Sequence, residues 1–349
     1  MESGNKNEGT GCATNAACNA SGSCTCLTGY ASNGSACVDV NECLTNNGGC
    51  DAHTTCTNTT GGRDCGACPS GNGWLGWGDT GCIRARTISG GYYHQCGIRA
   101  DSYVSCWGDN QYGQSTPGSG TFKSIAAGYT HTCGIRSDDT ILCWGSNVSG
   151  EATAPSGTFK AVTASGDMSC GVKMDGSAIC WGNLINTNLP TTQAGPFLDF
   201  SAGNGFTCGI LANGSTSCAG VNGNAQAVPP SGTSFQSITA GMAHACGLQA
   251  SGSMSCWGWN NQGQATAQTG SFKSVVGSAW QNSCSVKSDN TLLCWGRADQ
   301  GMNTTPTGAF NAVAASAYFA CGIKNGDGIL TCWGTPPATW PTAFAFMRY

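Results

Sequence analysis

The feature of this sequence that most constrains its fold is a pair of cysteines that recurs seven times at a pitch of 37 to 38 residues. Ten positions separate the two cysteines in six of the pairs, and eleven separate them in the seventh. A fixed period of this length is typical of repeat architectures, in which each repeat is one small supersecondary unit. The pairs are Cys96 and Cys106, Cys133 and Cys143, Cys170 and Cys180, Cys208 and Cys218, Cys246 and Cys256, Cys284 and Cys294, and Cys321 and Cys332.

Each repeat predicts a short antiparallel meander. In the second repeat the apolar run Phe122–Ala126 precedes Gly128, and two β-type runs then surround Cys133 and Cys143. A three-residue hairpin loop would place these cysteines directly opposite each other, within disulfide reach, and its last residue would adopt a left-handed conformation. We therefore predict one disulfide within each repeat. The left-handed positions of the first six repeats are Ser102, Asp139, Gly176, Gly214, Gly252 and Asn290.

The two ends of the array predict a closed ring. The first repeat, which starts at Thr87, has no run like the one at Phe122–Ala126, whereas the C-terminal segment Thr342–Phe346 resembles that run. We expect the C-terminal segment to supply the opening strand of the first blade. Closure would hide strand edges that otherwise promote aggregation. Residues 87–349 are thus predicted to form an all-β, seven-bladed β-propeller.

The repeat resembles that of the regulator-of-chromosome-condensation family. The resemblance rests on the segments Gly128–Ile135 and Leu142–Glu151, and on a Trp-Gly-x-Asn-x-x-Gly-Gln element at 107–114 and 257–264. It extends over about three quarters of the chain and implies a propeller, with cysteines where the family has small or apolar residues. It does not imply a function, because one fold hosts many functions.

The N-terminal segment resembles small epidermal-growth-factor-like modules. Residues 39–86 resemble a complete calcium-binding module, and residues 1–38 resemble one whose first cysteine is missing. Cys18 is then left over, and either its partner lies upstream, or it pairs with another chain, or it stays a free thiol. The resemblance implies the disulfides Cys12–Cys24, Cys26–Cys37, Cys43–Cys56, Cys50–Cys65 and Cys68–Cys82.

The same resemblance implies a calcium site. Calcium is bound by oxygen ligands, which the resemblance places on the side chains of Asp39, Glu42 and Asn58. The carbonyls of Val40, Thr59 and Gly62 would complete the ligand set. The alternative is a calcium-free module whose polar residues are solvated.

Asn58 also begins an Asn-x-Ser/Thr glycosylation motif, and it cannot serve as both a glycan carrier and a calcium ligand. Such motifs are typical of secreted proteins. The six candidate N-glycosylation sites are Asn19, Asn33, Asn58, Asn147, Asn213 and Asn303.

Composition indicates an extracellular or cell-surface protein. Twenty-five regularly spaced cysteines favour structural disulfides formed in an oxidising compartment. Only 14 residues are Lys or Arg and these are scattered, which argues against a nucleic acid partner. No run of 18 apolar residues is present, so no membrane span is predicted within the chain.

Three histidines, His94, His131 and His244, occupy the same place in their repeats, two residues before the first cysteine. A ring of metal ligands would need histidine in every repeat, so we interpret them as structural histidines. The tryptophan that follows most second cysteines is expected to pack between neighbouring blades. Trp259, Trp280 and Trp340 break the repeat and are candidates for a surface site.

No nucleophile with a base, carboxylate pair or phosphate-binding loop stands at a meaningful spacing, so we expect no catalytic residues and no enzyme activity. We expect a non-catalytic extracellular structural or adhesive protein, a subunit of a surface or matrix assembly that carries glycans and calcium. Its partner would be itself or another extracellular protein. The alternatives are a soluble secreted binder or inhibitor and, from a different class, a carbohydrate-processing enzyme.

Overall fold

The computed structural model describes residues 14–18, 24–33, 35–44, 55–65, 74–75, 83–84, 88–99, 101–185, 187–277, 280–325 and 328–335. The chain divides into two compact units, Met1–Cys82 and Ile83–Tyr349. Among the described residues, no helix is long and apolar enough to cross a membrane.

The first unit consists of short antiparallel strand pairs and one 3-10 turn. Strand β1 pairs with β2, β3 with β4 and β5 with β6. A 3-10 turn at Glu42–Leu44 lies between β4 and β5. The strands of this unit are β1 (Ala16–Cys18), β2 (Cys24–Cys26), β3 (Tyr30–Ser32), β4 (Cys37–Asp39), β5 (Cys56–Thr59), β6 (Gly62–Cys65) and β7 (Trp74–Leu75).

Two disulfides, Cys26–Cys37 and Cys43–Cys56, cross-link the described part of the first unit. Both pairs are those that the sequence resemblance implied. Cys65 is also disulfide-bonded. The predicted Cys12–Cys24 and Cys68–Cys82 bonds, the Cys50 partner of Cys65 and the side chain of Cys18 lie outside the described residues.

The second unit opens with β8 (Ile83–Arg84), after which the described residues form seven antiparallel sheets in succession. Each sheet has three strands, except the third, which has a fourth. The first sheet contains β9 (Ile88–Gly90), β10 (His94–Ile98) and β11 (Val104–Gly108); the second β12 (Phe122–Ala127), β13 (His131–Arg136) and β14 (Ile141–Gly145); the third β15 (Phe159–Ser165), β16 (Met168–Lys173), β17 (Ala178–Gly182) and β18 (Thr192–Gln193); the fourth β19 (Phe197–Ala202), β20 (Phe206–Leu211) and β21 (Thr216–Gly220). The fifth contains β22 (Ser237–Ala240), β23 (His244–Leu248) and β24 (Met254–Gly258); the sixth β25 (Phe272–Gly277), β26 (Asn282–Lys287) and β27 (Leu292–Gly296); the seventh β28 (Phe310–Ala315), β29 (Phe319–Lys324) and β30 (Leu330–Gly334).

The cysteines of each repeat face each other across the second and third strands of one sheet. Cys133, for example, is opposite Cys143, with Cα atoms 4.0 Å apart and a disulfide between them. The prediction of one disulfide within each repeat is confirmed, and the bonds are Cys96–Cys106, Cys133–Cys143, Cys170–Cys180, Cys208–Cys218, Cys246–Cys256, Cys284–Cys294 and Cys321–Cys332.

The hairpin loops explain the register of these bonds. All six predicted left-handed positions have positive φ, including 66° at Ser102 and 68° at Asp139. In the seventh repeat the loop is one residue longer, yet Cys321 still lies opposite Cys332. The loop therefore absorbs the inserted residue, and the strands keep their register.

A buried phenylalanine at the start of the first strand packs over a glycine of the second strand. Phe122 lies over Gly134, where a Cβ atom would come within 2.6 Å of the ring. The same pairing recurs in other sheets, for example Phe159 over Gly171 and Phe310 over Gly322. The ring lies in an apolar cluster between its own sheet and the preceding one, together with the cystine of the preceding sheet, as Phe122 does with Cys96 and Phe159 with Cys133.

Neighbouring sheets are joined through their first strands. The Oγ atom of Ser89 accepts a hydrogen bond from the backbone N–H of Ala127, and Thr163 accepts one from Ala202 in the same way. The seventh sheet is hydrogen-bonded to the first, because Ala317 donates its N–H to the carbonyl of Tyr92.

The prediction that the first repeat lacks an opening strand is wrong. Residues Ile88–Gly90 form that strand, and Ser89 lies opposite Cys96 as Ala126 lies opposite Cys133. The sequence pattern does not predict this strand because it has only three residues and no phenylalanine. Ile88–Gly90 takes the positions equivalent to Ile125–Ala127 of the second sheet, and residues 342–346, which we assigned to this strand, lie outside the described residues.

Each blade disulfide should stabilise the fold separately. Replacing Cys133 and Cys143 together by alanine should lower the free energy of unfolding by about 3 kcal/mol, the chain-entropy value for a loop of this length. Equilibrium denaturation in guanidinium chloride measures the loss. A loss below about 1 kcal/mol would contradict an entropic role for the bond.

Candidate functional site

One backbone carbonyl at each of several sheet junctions accepts two hydrogen bonds from the next sheet. The carbonyl of Gln114, in the loop after the first sheet, accepts from the Trp144 indole at 2.9 Å and from the Thr132 hydroxyl at 3.2 Å. The carbonyl of Glu151 accepts from Trp181 and Ser169 in the same geometry. The repeated tryptophan thus packs between sheets and is also a hydrogen-bond donor.

The three repeated histidines belong to these junctions. The Nε2 atom of His94 lies 2.8 Å from the Thr132 hydroxyl, and that of His131 lies 2.8 Å from the Ser169 hydroxyl. Since each hydroxyl donates its proton to a carbonyl, the histidine Nε2 must be the donor. Burial lowers the pKa of His94 to about 3 and that of His131 to about 4, and His244 behaves like His131.

These pairs contain the residue types of a nucleophile and its base, but their geometry does not suit catalysis. Ser169 and His131 are fully buried, and the serine proton is held by the carbonyl of Glu151. The Glu151 carboxylate is itself bound by the Ser146 hydroxyl and the Ser149 N–H, both at 2.7 Å. A substrate would have no access to this hydroxyl, so the arrangement acts as a structural clamp.

The last residue of the Trp-Gly-x-Asn-x-x-Gly-Gln element closes its own turn. Gln114 Oε1 accepts the N–H of Tyr112, and Gln264 Oε1 accepts the N–H of Gln262. The asparagine side chain of the element accepts a second N–H, as Asn110 does from Ser115. These bonds hold the turn in place, so that the backbone carbonyl of Gln114 can accept hydrogen bonds from the next sheet.

Five aromatic side chains from four different sheets meet at the end of the sheets where the first strand turns into the second. We call Tyr92, Tyr93, Tyr129, Trp280 and Tyr318 the aromatic cluster. The ring of Tyr92 is central, with centroids 5.1 Å from Tyr129, 5.2 Å from Trp280 and 6.1 Å from Tyr318. Tyr93 stacks on Tyr318 at 5.1 Å. Such distances are those of favourable aromatic pairs.

The cluster forms because equivalent turns of different sheets converge. The N–H of Tyr129 donates to the carbonyl of Gly166 at 2.8 Å, which joins the turns of the second and third sheets. Ala317 N–H donates to Tyr92 in the same way between the seventh and first sheets. In the third sheet the turn presents Asp167 instead of an aromatic residue, so a carboxylate lies beside the rings.

Some polar atoms of this region have no hydrogen-bond partner among the described residues. The Tyr129 hydroxyl is buried and has no hydrogen-bond partner among the described residues. Burial, and then the charge of Asp167, raise the pKa of Tyr129 to about 12. Burial also raises the pKa of the Asp167 carboxyl, with a further contribution from Glu151. The region therefore combines four half-buried rings and one exposed ring, that of Tyr93, with a half-buried carboxylate.

The predicted calcium ligands lie together in the first unit. Asn58 Nδ2 donates to Asp39 Oδ2 at 2.7 Å, and the N–H of Gly61 donates to Asp39 Oδ1. Glu42 Oε2 and Asn58 Oδ1 are buried and have no hydrogen-bond partner among the described residues. Buried oxygens of this kind fit a hard cation, because the ion would supply the missing partner. Thr59 and Gly62 lie in β5 and β6, and Val40 directly follows β4.

The predicted glycan acceptors differ in exposure. Asn33, Asn147, Asn213 and Asn303 are exposed, Asn58 is half-buried and Asn19 lies outside the described residues. The Asn147 amide already bridges its turn, accepting from the Ala152 N–H and donating to Thr153. A glycan on Asn147 would compete with that turn, whereas the Nδ2 atom of Asn213 makes no such bond among the described residues.

Sequence reasoning identified one member of the aromatic cluster, Trp280, because it breaks the repeat. It missed the four tyrosines. The available signal was an aromatic residue one or two positions before the second strand in repeats one, two, six and seven. Of the other two tryptophans that break the repeat, Trp259 lies outside the cluster and Trp340 is outside the described residues.

Comparison with known proteins supports the repeat and the fold. Residues 85–114, 122–151 and 235–264 match the regulator of chromosome condensation (RCC1) repeat, so the chain carries RCC1-like repeats. The CRINKLY WD40 ectodomain of the Arabidopsis thaliana receptor kinase ACR4 is 26% identical, with a TM-score of 0.63, over 74% of this chain and 98% of that one. The ectodomain of the Physcomitrella patens receptor kinase CR4 is 27% identical with the same TM-score, over 74% of this chain and 76% of that one.

Two further similarities are narrower. Prp20p of Saccharomyces cerevisiae is 16% identical with a TM-score of 0.53, over 61% of this chain and 72% of that one, a likeness of fold alone. Thrombospondin-3 of mouse and of human is 45% identical over 65 residues, which is 18% of this chain and only 7% of those relatives. The many disulfides and the likeness to receptor ectodomains indicate an extracellular protein.

The buried histidines should make the fold sensitive to acid. The unfolded chain takes up protons at histidine near pH 6.5, whereas folded His131 does so only near pH 4. Acidification between these values therefore favours unfolding. In His131→Gln the rise of unfolding free energy with pH from 4.5 to 6 should be shallower by about 1 kcal/mol per pH unit.

Denaturation curves at several pH values, with the disulfides intact, test this expectation. Met168 occupies the same repeat position as His131 but does not titrate, so Met168→Leu is the matched control. It should change the stability without changing the slope. An unchanged slope in His131→Gln would show that this histidine is not held neutral.

Proposed function

We propose that the chain is an extracellular protein-binding module, a rigid propeller that presents its partner surface at the end bearing the aromatic cluster. The observation that carries the proposal is the convergence of five aromatic side chains from four sheets at this end. Aromatic residues are enriched where proteins bind other proteins, because they offer large contact areas at low cost in conformational entropy. Tyr93 is 45% exposed, so the cluster reaches the surface.

We further propose that the seven sheets form one closed seven-bladed ring. The support is the hydrogen bonding between the last and first sheets, where Ala317 bonds to Tyr92 and Ser316 bonds to His94. A closed ring, in which each sheet contains its own disulfide, would hold its turns at fixed positions. Fixed turns lose less conformational entropy when a partner binds. The proposal places the binding residues on a scaffold that need not rearrange.

At a finer level, the proposed role is non-catalytic and structural or adhesive, as a subunit of a surface or matrix assembly. Inaccessible serine–histidine pairs and the shortage of charged residues favour this role over a carbohydrate-processing enzyme. A soluble binder or inhibitor that uses the same surface is the second candidate, and the likeness to receptor ectodomains favours it. The two differ in whether the native protein forms polymers or separate discs.

The first unit is proposed to bind one calcium ion through Asp39, Glu42 and Asn58, with the carbonyls of Val40, Thr59 and Gly62. The partnerless buried oxygens of Glu42 and Asn58 support this assignment. A bound ion would link the turn at Glu42–Leu44 to strand β5 and so stiffen a unit whose described residues include no buried apolar side chain.

The tyrosines provide a test of the binding surface that does not require the partner to be known. Tyr93 lies in the aromatic cluster, whereas Tyr103 lies in the hairpin at the opposite end of the same sheet and is similarly exposed, at 50%. Hydroxyl-radical footprinting should show Tyr93 protected in native extracellular material compared with the isolated chain. Tyr103 should be modified equally in both.

Tyr112 is also 50% exposed and lies in the loop after the first sheet, at the end bearing the cluster, so it should follow Tyr93. Protection of Tyr103 alone would move the partner surface to the opposite end. Equal modification of all three tyrosines in both samples would leave the proposed function without support.

Calcium binding is tested by calorimetric titration of the intact chain. The Glu42→Gln variant removes one charged ligand, and its calcium affinity should be at least about tenfold weaker. Asp64→Asn is the matched control, because Asp64 is an exposed residue of β6 outside the proposed ligand set. Equal affinities in the two variants, or no heat of binding in the native chain, would refute the site.

A further inference from the structure

One carboxylate of the cluster region has no counter-charge among the described side chains. The Asp167 side chain is half-buried and has no hydrogen-bond or ion-pair partner among the described residues. Nearby acidic groups are differently placed, because Glu151 is held by Ser146 and Ser149, and Asp109 accepts from Gln114. Asp167 is therefore the acidic group of this region for which the described residues supply neither a hydrogen-bond donor nor a counter-charge.

A second group beside it also lacks a partner. The buried Tyr129 hydroxyl makes no hydrogen bond among the described residues. The bond from Tyr129 N–H to the Gly166 carbonyl holds this turn against the turn that carries Asp167. Since a phenol oxygen accepts hydrogen bonds as well as donating them, the hydroxyl and the carboxylate together can receive two N–H donors.

The rings beside these two groups suit a cation. Tyr92 contacts both Tyr129 and Trp280, with centroids just over 5 Å away. Ammonium and guanidinium groups are attracted to the faces of such rings, most strongly where water is partly excluded. The aromatic faces and the carboxylate would therefore act on the same positive charge.

The distribution of charge within the sheets points in the same direction. Antiparallel topology places Asp109, Glu151, Asp167 and the Arg297–Asp299 ion pair at the end with the aromatic cluster. Arg297 is the one basic residue at this end in the seven sheets and the described loops between them, and Asp299 binds it at 2.6 Å. The opposite end carries the other lysines and arginines of the seven sheets and their described loops, namely Arg99, Lys123, Arg136, Lys160, Lys173, Lys273, Lys287 and Lys324. Within these seven sheets and their described loops, no intrinsic cation is left for Asp167, and the side chain of Arg84 in β8 lies outside the described residues.

We propose that the aromatic cluster and Asp167 form a site for the side chain of a lysine or arginine on an extracellular protein partner. The proposal rests on the proposed function and names the chemistry that the binding surface recognises. The cation lies against Tyr92, Tyr129 and Trp280, donates to the Asp167 carboxylate and donates to the Tyr129 hydroxyl. A neutral glycan would stack on the same rings but would leave the charge of Asp167 uncompensated.

The test is an NMR titration of the intact chain with blocked pentapeptides that carry one lysine, one arginine or one glutamine among glycines. The lysine and arginine peptides should bind, and their side-chain CH₂ resonances should shift upfield because of the ring currents of the cluster. The glutamine peptide should bind at least about tenfold more weakly, which corresponds to about 1.4 kcal/mol. Raising the salt concentration should weaken only the two cationic peptides.

Two variants separate the contributions of the site. Asp167→Asn should weaken the lysine peptide about tenfold and remove the salt dependence, and it should fold normally because it removes a poorly solvated charge. Tyr129→Phe should weaken binding about fivefold, as expected for one hydrogen bond. Asp138→Asn is the control, since Asp138 lies in a hairpin loop at the opposite end and should leave the affinity unchanged.

The proposal is overturned if Asp167→Asn binds like the native chain, or if the glutamine peptide or a neutral hexasaccharide such as maltohexaose binds as tightly as the lysine peptide. Protection of Tyr93 in native material without binding of cationic peptides would refute the cation site and keep the protein-binding surface. Absence of both effects would refute the two proposals together. Melting curves of each variant confirm that a loss of binding is not a loss of fold.

Discussion

The structure depends on the backbone carbonyls that connect one sheet to the next. The carbonyl of Gln114 accepts the Trp144 indole and the Thr132 hydroxyl, and the same pattern recurs at Glu151 and at Gln264. Two donors on one acceptor fix both the distance and the angle between neighbouring sheets. Because this link recurs from sheet to sheet, the turns between the first and second strands of different sheets lie close together, although they are far apart in sequence.

The proposed binding sites are where buried acidic, amide and phenolic oxygens lack a hydrogen-bond partner among the described residues. At the junctions, buried histidine, serine, threonine and glutamate side chains are paired, although the Nδ1 atoms of the histidines are not. At the aromatic cluster the Tyr129 hydroxyl, and in the first unit one oxygen each of Glu42 and Asn58, are buried without partners among the described residues. Burying a polar group without a partner costs free energy, so such groups are expected where an external ligand supplies the partner.

The disulfides explain how a fold with small cores is stable outside the cell. Every sheet from the second to the seventh buries a phenylalanine that packs with the cystine of the preceding sheet, and the first sheet has Ile88 in the opening strand instead. A cystine fits between the second and third strands because opposite residues there approach to about 4 Å. The likeness to receptor-kinase ectodomains agrees with this design, since those proteins share the sheets at about a quarter sequence identity.

The sequence by itself determined whatever depends on neighbours within one repeat. The period, the three-residue loops, the left-handed residues such as Asp139 and the Cys133–Cys143 type of bond all follow from local backbone geometry. Only the tertiary structure decided that Ile88–Gly90 is a strand, because three residues carry too little pattern and their place is set by pairing with β10. Likewise, only the tertiary structure brings Tyr92 of the first sheet beside Trp280 of the sixth. Their contact depends on how sheets that are far apart in sequence pack together, and no local pattern predicts it.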